Sequence, residues 1–220
     1  MPTALITGTT SGLGRELSVY LLLRGWQVIG FARGDAVIEH PAYTHCRVNI
    51  KHSREVAAAL QTITKIDLLV NNAAVFTRKS VMETSTETVD DLIDTNVKGT
   101  MYVTRGCIDI MAPGGKIIFI NSVAGLAELE NQSIYCASKY AITAFAGVLG
   151  KELQSRIQVT SIHPGGIDTP LWNDQNPYTG GEVNDLIPAV EIAKLIEFIY
   201  NSPSNIEYKT VKMFPAIEWH

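Results

Sequence analysis

The chain has 220 residues, 46% of them hydrophobic and 18% charged, which suits one large folded domain and excludes a disordered segment. Its net charge of -4 argues against broad binding to a nucleic-acid backbone, which needs a basic face. Cys46, Cys107 and Cys136 form no CxxC pair, so neither a zinc site nor a disulfide framework is indicated, and the sparse, odd count suits a reducing cytoplasm.

The first residues run directly into an apolar strand pattern, Ala4 to Thr7, with no basic leader, so no signal peptide is expected. A glycine-rich turn, Gly8 to Gly14, leads into a helix reaching about Arg24. Strands are expected at Gln27 to Ala32 and, more weakly, at Tyr43 to Val48. A helix over Ser53 to Ile63 follows, with Ser53 as its N-cap, and then a strand at Ile66 to Val70. The pattern predicts one long amphipathic helix over Thr88 to Met111, broken by Pro113-Gly114-Gly115 ahead of a fifth strand, Lys116 to Asn121. A helix over about Ile134 to Leu153, a sixth strand at Ile157 to Ile162, a helix near Ala189 to Tyr200 and a last strand near Tyr208 to Met213 complete the chain. No apolar run is long enough to span a membrane.

Strands alternating with helices imply βαβ crossovers. The expected fold is therefore α/β, a Rossmann-type doubly wound parallel sheet of about seven strands in a single domain over residues 1–220. Within it, Pro170 to Gly181 is rich in Asn, Asp, Gly and Pro, and reads either as a surface loop or, the favoured reading, as a substrate lid near residues 170–186.

Two local patterns carry chemistry. In Thr7-Gly8-Thr9-Thr10-Ser11-Gly12-Leu13-Gly14 the glycines let the backbone approach a pyrophosphate, and the helix that begins there presents free N–H groups to the anion. At the end of the second strand an acid would bind ribose hydroxyls and a basic residue a 2′-phosphate. Here the residues are Phe31-Ala32-Arg33-Gly34, which favours NADP(H) over NAD(H), although Arg33 can also be read as a solvated loop arginine with Asp35 close by. The second pattern is Tyr135-Cys136-Ala137-Ser138-Lys139, which sets Tyr and Lys on one helix face. An ammonium beside a phenol, whose pKa is ordinarily ~10, would lower it towards useful acid/base range. Ser122, at the carboxyl end of the fifth strand, can hydrogen-bond a carbonyl oxygen.

These ordered motifs resemble the short-chain dehydrogenase/reductase family in its shorter, single-domain form. The likeness rests on the glycine turn, Asn71-Asn72-Ala73-Ala74 after the fourth strand, Asn96-Val97-Lys98-Gly99, the Ser122…Tyr135…Lys139 spacing, and Pro164-Gly165-Gly166-Ile167-Asp168-Thr169. The resemblance implies that Tyr135 is the general acid/base and that Lys139 lowers its pKa and holds the nicotinamide ribose. It implies that Ser122 polarises the substrate oxygen, and that Asn96 kinks its helix and holds a water linking Lys139 to solvent. Gly8, Thr10, Ser11, Gly12, Leu13 and Gly14 would form the cofactor turn. Asn49 and Ile50 would meet the adenine, Asn72 and Ala73 the adenosine ribose and sheet edge, and Pro164, Gly165, Ile167 and Thr169 the nicotinamide side. No metal is implied. The family also implies a homodimer or homotetramer built through the two long helices.

Three departures stand out. Ala74 replaces a glycine, Asn49 replaces an aspartate, and the short segment between Arg33 and Tyr43, with Pro41, leaves the usual helix missing or cut to a single turn. His163 reads as a hydrogen-bonded strand-end residue, Cys136 as packing, and Trp26 and Trp219 as structural or terminal. Glu128 and Glu130 either rim a substrate pocket, where they would disfavour anions, or form a solvated pair. The leading expectation is an NADP(H)-dependent oxidoreductase acting on a small carbonyl or alcohol. The alternatives are a 3-oxoacyl thioester reductase and a non-catalytic NADP(H)-binding sensor or scaffold.

Overall fold

The computed structural model describes residues 1–154, 156–173, 176–178 and 185–217. Its centre is a seven-stranded, wholly parallel sheet of β1 (Thr3–Thr7), β2 (Gln27–Ala32), β3 (Tyr43–Arg47), β4 (Ile66–Asn71), β5 (Met111–Ile120), β6 (Gln158–Pro164) and β9 (Thr210–Met213). The order across the sheet is β3-β2-β1-β4-β5-β6-β9. The chain winds outward from β1 to β3, then returns to build the other half from β4, so the direction reverses between β1 and β4. In such sheets ligands bind at that switch point, beyond the carboxyl ends of the strands.

The central strands are apolar on both faces because helices cover both. Ala4, Leu5, Ile6, Leu68, Leu69, Val70, Ile117, Ile118 and Phe119 are completely buried. One face packs on α1 (Gly12–Leu22) and α6 (Ala189–Asn201) through Leu17, Leu21, Ile192 and Ile196. The other packs on α2 (Ser53–Leu60), α4 (Thr100–Cys107) and α5 (Ser133–Glu152) through Val56, Val103, Ile142 and Leu149. Lys116 points out of β5 into the α6 side and donates to the carbonyls of Ile199 (2.6 Å) and Ser202 (3.3 Å), where the helix C-terminus favours a cation. Among the described residues, no helix is long and apolar enough to cross a membrane.

Four local readings change. The α2 cap is His52, not Ser53, and the helix ends at Leu60 rather than Ile63. In place of a serine cap, the Glu55 carboxylate accepts from the Asn49 N–H (2.8 Å) and pairs with His52 (2.6 Å). The stretch read as one helix from Thr88 starts earlier, as α3 (Thr86–Ile93), with Ser85 accepting from the Thr88 N–H (3.3 Å). It then loosens into a π-helical turn, Asp94–Gly99, before α4. Periodicity alone cannot reveal one extra residue in a turn. Pro113-Gly114-Gly115 does not separate helix from strand but bulges inside β5, whose pairing with β4 jumps from Ile66↔Met111 to Leu68↔Lys116. Gly114 takes φ 76° there and donates to the Arg156 carbonyl (3.0 Å). Finally, a two-stranded ribbon of β7 (Ile167–Asp168) and β8 (Ile187–Pro188) ties both ends of the expected lid to the body. Residues 174, 175 and 179–184 of that lid, and Trp219, lie outside the described residues. Residues 33–42 carry no helix, as their shortness and Pro41 predict.

Candidate active site

A cleft of about 730 Å³ opens at the carboxyl edge of the sheet, above the switch point. At one end, Gly8 (φ 77°) and Gly12 (φ 50°) turn the chain from β1 into α1, and the Gly8 N–H donates to the Phe31 carbonyl (2.7 Å). The Thr7 hydroxyl oxygen accepts from the backbone N–H of Asn72 (3.0 Å) and Ala73 (2.9 Å), while the Asn72 amide donates to the Thr7 carbonyl (2.8 Å). Two motifs distant in sequence are thus locked into one edge. Ser11 caps α1 without a side-chain bond, and no acid sits in the first turn. The helix N-terminus therefore keeps its partial positive charge facing the cleft, a fit for a pyrophosphate.

Gly8, Thr10, Ser11, Gly12 and Leu13 line the cleft, but Gly14 lies behind the turn. A Cβ on Gly14 would run into the Gly8 carbonyl and the Asn72 amide, so its expected cofactor contact is replaced by a packing role, close approach of helix to strand.

The next portion of the cleft is lined by Phe31, Ala32, Arg33, Gly34, Val48, Asn49 and Ile50. Arg33 is exposed at the end of β2, and its carbonyl accepts from Arg47 Nε (3.2 Å). Asp35 is drawn to Arg47 Nη1 (3.5 Å). A chain of hydrogen bonds lies beneath, from Thr9 Oγ1 to the Tyr43 hydroxyl (2.8 Å), to His45 Nδ1 (3.3 Å), and from His45 Nε2 to the Gly34 carbonyl (2.9 Å). Since a carbonyl only accepts, Nε2 carries the proton and Nδ1 accepts from the phenol. Gly30 makes room, because a Cβ there would stand 2.5 Å from Thr9 Oγ1. Sequence reasoning missed this brace. Its signal was the alternation Tyr43, His45, Arg47, which puts all three on one face of β3. Asn49, expected at the adenine, has its side-chain carbonyl turned to the Lys51 N–H (3.2 Å), leaving one further lone pair for a ligand.

At the other end, β5 runs out at Ile120 and the chain turns through Ser122 into a short 3-10 turn, Val123–Gly125, whose Ala124 N–H donates to Ser122 Oγ (3.1 Å). The α5 helix then brings Tyr135 and Lys139 under Ser122. Tyr135 is buried, which pushes its phenol up to about 12, while a hydrogen bond with Ser122 pulls it back. Lys139 is buried as well, and the loss of water pushes its ammonium down to about 8. The ammonium donates to the Ile120 carbonyl (3.2 Å) and stands 5.6 Å from the Tyr135 ring centre. Burial raises the phenol, and the ammonium turns to a strand-end carbonyl rather than to the phenol.

The kink expected at Asn96 is present: the residue sits in the π-helical turn, just behind the residues that line the cleft. Its side-chain carbonyl accepts from the Val75 N–H (2.8 Å), and its amide donates to the Val75 carbonyl (2.9 Å) and Ser138 Oγ (3.1 Å). Ser138 in turn donates to the Tyr135 carbonyl (2.7 Å). The side chain is occupied by protein, so Asn96 fastens the loop after β4 to α5. His163 is the strand-end residue expected, with Nδ1 donating to the Ser122 carbonyl (2.9 Å) and burial lowering its pKa.

Pro164, Gly165, Ile167 and Thr169 line the cleft opposite the glycine turn, and Thr169 Cβ lies 3.4 Å from where a Gly12 Cβ would stand. Ala74 borders the cleft too. Glu130 lines the outer end, whereas Glu128 accepts from the Tyr140 hydroxyl (3.0 Å), so the two acids are not a pair.

A family model described as short chain dehydrogenase matches residues 2–179. An uncharacterized oxidoreductase of Staphylococcus saprophyticus is 29% identical, over 97% of this chain and 97% of its own. An NADPH-dependent pterin aldehyde reductase of Arabidopsis thaliana is 34% identical, over 77% of this chain and 76% of its own. Among solved structures, a 3-ketoacyl-(acyl-carrier-protein) reductase of Brucella melitensis complexed with NADH superposes with a TM-score of 0.85, at 23% identity, over 98% of both chains, a likeness of fold. With the glycine turn, the seven-stranded sheet and the Ser122, Tyr135 and Lys139 cluster all in place, the chain belongs to the short-chain dehydrogenase family of oxidoreductases.

Proposed function

We propose that the protein is an NADP(H)-dependent reductase of small carbonyl compounds. One observation carries this reading: Ser122, Tyr135 and Lys139 meet at the inner end of a cleft whose other end is the uncapped, acid-free start of α1. The residues fit a dinucleotide. The turn Gly8 to Leu13 would hold the pyrophosphate, Arg33 a 2′-phosphate, Lys139 the nicotinamide ribose, and Ile167 and Thr169 the carboxamide. When bound, the dinucleotide supplies or takes a hydride at the carbonyl carbon. Ser122 hydrogen-bonds the substrate oxygen, and Tyr135 passes its phenolic proton to that oxygen as negative charge develops there. A phenol held at about 12 is fully protonated at neutral pH, so it is a ready donor. Alcohol oxidation would need the phenolate, roughly one molecule in 10⁵ at pH 7. The Arabidopsis relative, an NADPH-dependent pterin aldehyde reductase, agrees with both halves of the reading.

The test is cofactor titration by calorimetry with NADPH and NADH separately. Arg33→Ala is expected to weaken NADPH by about tenfold, the worth of a charge-assisted contact at an exposed site, and to leave NADH unchanged. Equal or tighter binding of NADH by the natural chain would overturn the part given to Arg33.

A further inference from the structure

Beyond the reacting groups, the outer end of the cleft is walled by rings in sequence. Phe76 meets Tyr135 edge-on, with centres 4.8 Å apart and planes at 83°. Trp172 meets Phe76 at 5.6 Å and 71°, and Tyr178 meets Trp172 at 5.1 Å and 60°. The strip is held at both ends. Trp172 donates its indole N–H to the Ile167 carbonyl (2.8 Å), and the loop bearing Phe76 is joined to the loop bearing Trp172 by a bond from the Arg78 N–H to Asn176 (3.3 Å). Leu129 packs beside Phe76 and Tyr135. Glu130 and Arg78, of opposite sign, also border the cleft.

We propose that the substrate is a planar aromatic aldehyde or ketone, with Phe76 and Trp172 as its specificity-determining residues; the proposal rests on reading the site as a carbonyl reductase. A flat ring whose carbonyl reaches Tyr135 would lie beside Phe76 and Trp172, which line the same cleft and offer it offset and edge-on ring contacts. A polyhydroxylated substrate would press its hydroxyls against rings that cannot accept them well. A saturated ring of the same size gains the burial but not the ring contact, a difference of roughly three- to tenfold.

The experiment uses the full chain with NADPH and two aldehydes of the same ring size, benzaldehyde and cyclohexanecarbaldehyde, followed by the loss of nicotinamide absorbance. The expected kcat/KM ratio favours the aromatic aldehyde by about three- to tenfold. Trp172→Leu is expected to pull that ratio towards one, and Trp172→Phe to keep most of it. A ratio at or below one in the natural chain, or one unmoved by Trp172→Leu, overturns the aromatic assignment while the reductase reading stands. Should neither aldehyde be reduced, the reductase reading fails, and the aromatic site is judged by calorimetric titration of benzyl alcohol against cyclohexylmethanol in the presence of NADP+. Tighter binding of the aromatic alcohol, lost in Trp172→Leu, supports the proposal; equal binding overturns it.

Discussion

Replacing Lys139 by methionine should stabilise the nucleotide-free protein at neutral pH even as it removes turnover. Burial holds the folded-state pKa of Lys139 at about 8, against 10.5 for a free lysine. The unfolded chain therefore binds this proton more tightly, and below pH 8 keeping the ammonium charged inside the fold costs roughly 3 kcal/mol. Methionine keeps an unbranched, apolar stem without the charge. It loses the bond to the Ile120 carbonyl, about 1 kcal/mol, which leaves a net gain of about 1–2 kcal/mol. For a chain of 220 residues that is a rise in Tm of about 3–6 °C. The sign follows from the depressed pKa of a base. The penalty is fully present below pH 8, shrinks between 8 and 10.5, and is gone above, so the difference between the two proteins should nearly vanish by pH 10. Thermal unfolding by circular dichroism at pH 7 and pH 10, without nucleotide, measures both terms. A variant less stable than the natural chain at pH 7, or a difference equal at both pH values, would refute the reasoning.

Gly14→Ala should destabilise by about 1–3 kcal/mol, because its Cβ meets the Gly8 carbonyl, whereas Gly147→Ala in α5, with open space around it, should stabilise by about 0.5–1 kcal/mol. Urea titration of the two variants checks the contrast, and equal stabilities would sink it. Tyr135→Phe should lower kcat by about 10²–10⁴ while leaving nucleotide affinity intact, and in the natural chain any alcohol oxidation should climb steadily with pH towards 12 as the phenol ionises. A flat profile between pH 7 and 10 would show that Tyr135 is not the base.

Much of this molecule was legible without a fold. The glycine turn, Ser122, and the Tyr135 and Lys139 pair are local patterns, since a turn needs residues a few positions apart and a helix puts i and i+4 on one face. The alternation of strands and helices likewise implied a parallel sheet, because apolar runs on both faces of a strand demand cover on both. What the fold decided are the quantities that depend on distant chain segments. Gly14 became a packing residue because Asn72 arrives from β4, and Asn96 became a fastener because Val75 and Ser138 close around it. The brace through Thr9, Tyr43 and His45 joins the turn after β1 to β3 and to the loop at Gly34. The order of the acid and base strengths at the site also lies outside local pattern. Spacing says that Tyr135 and Lys139 share a face, but desolvation sets their pKa values, and desolvation is a property of everything packed around them. The aromatic strip belongs to the same class, since Phe76 and Trp172 meet only when the loops after β4 and β7 fold over one cleft.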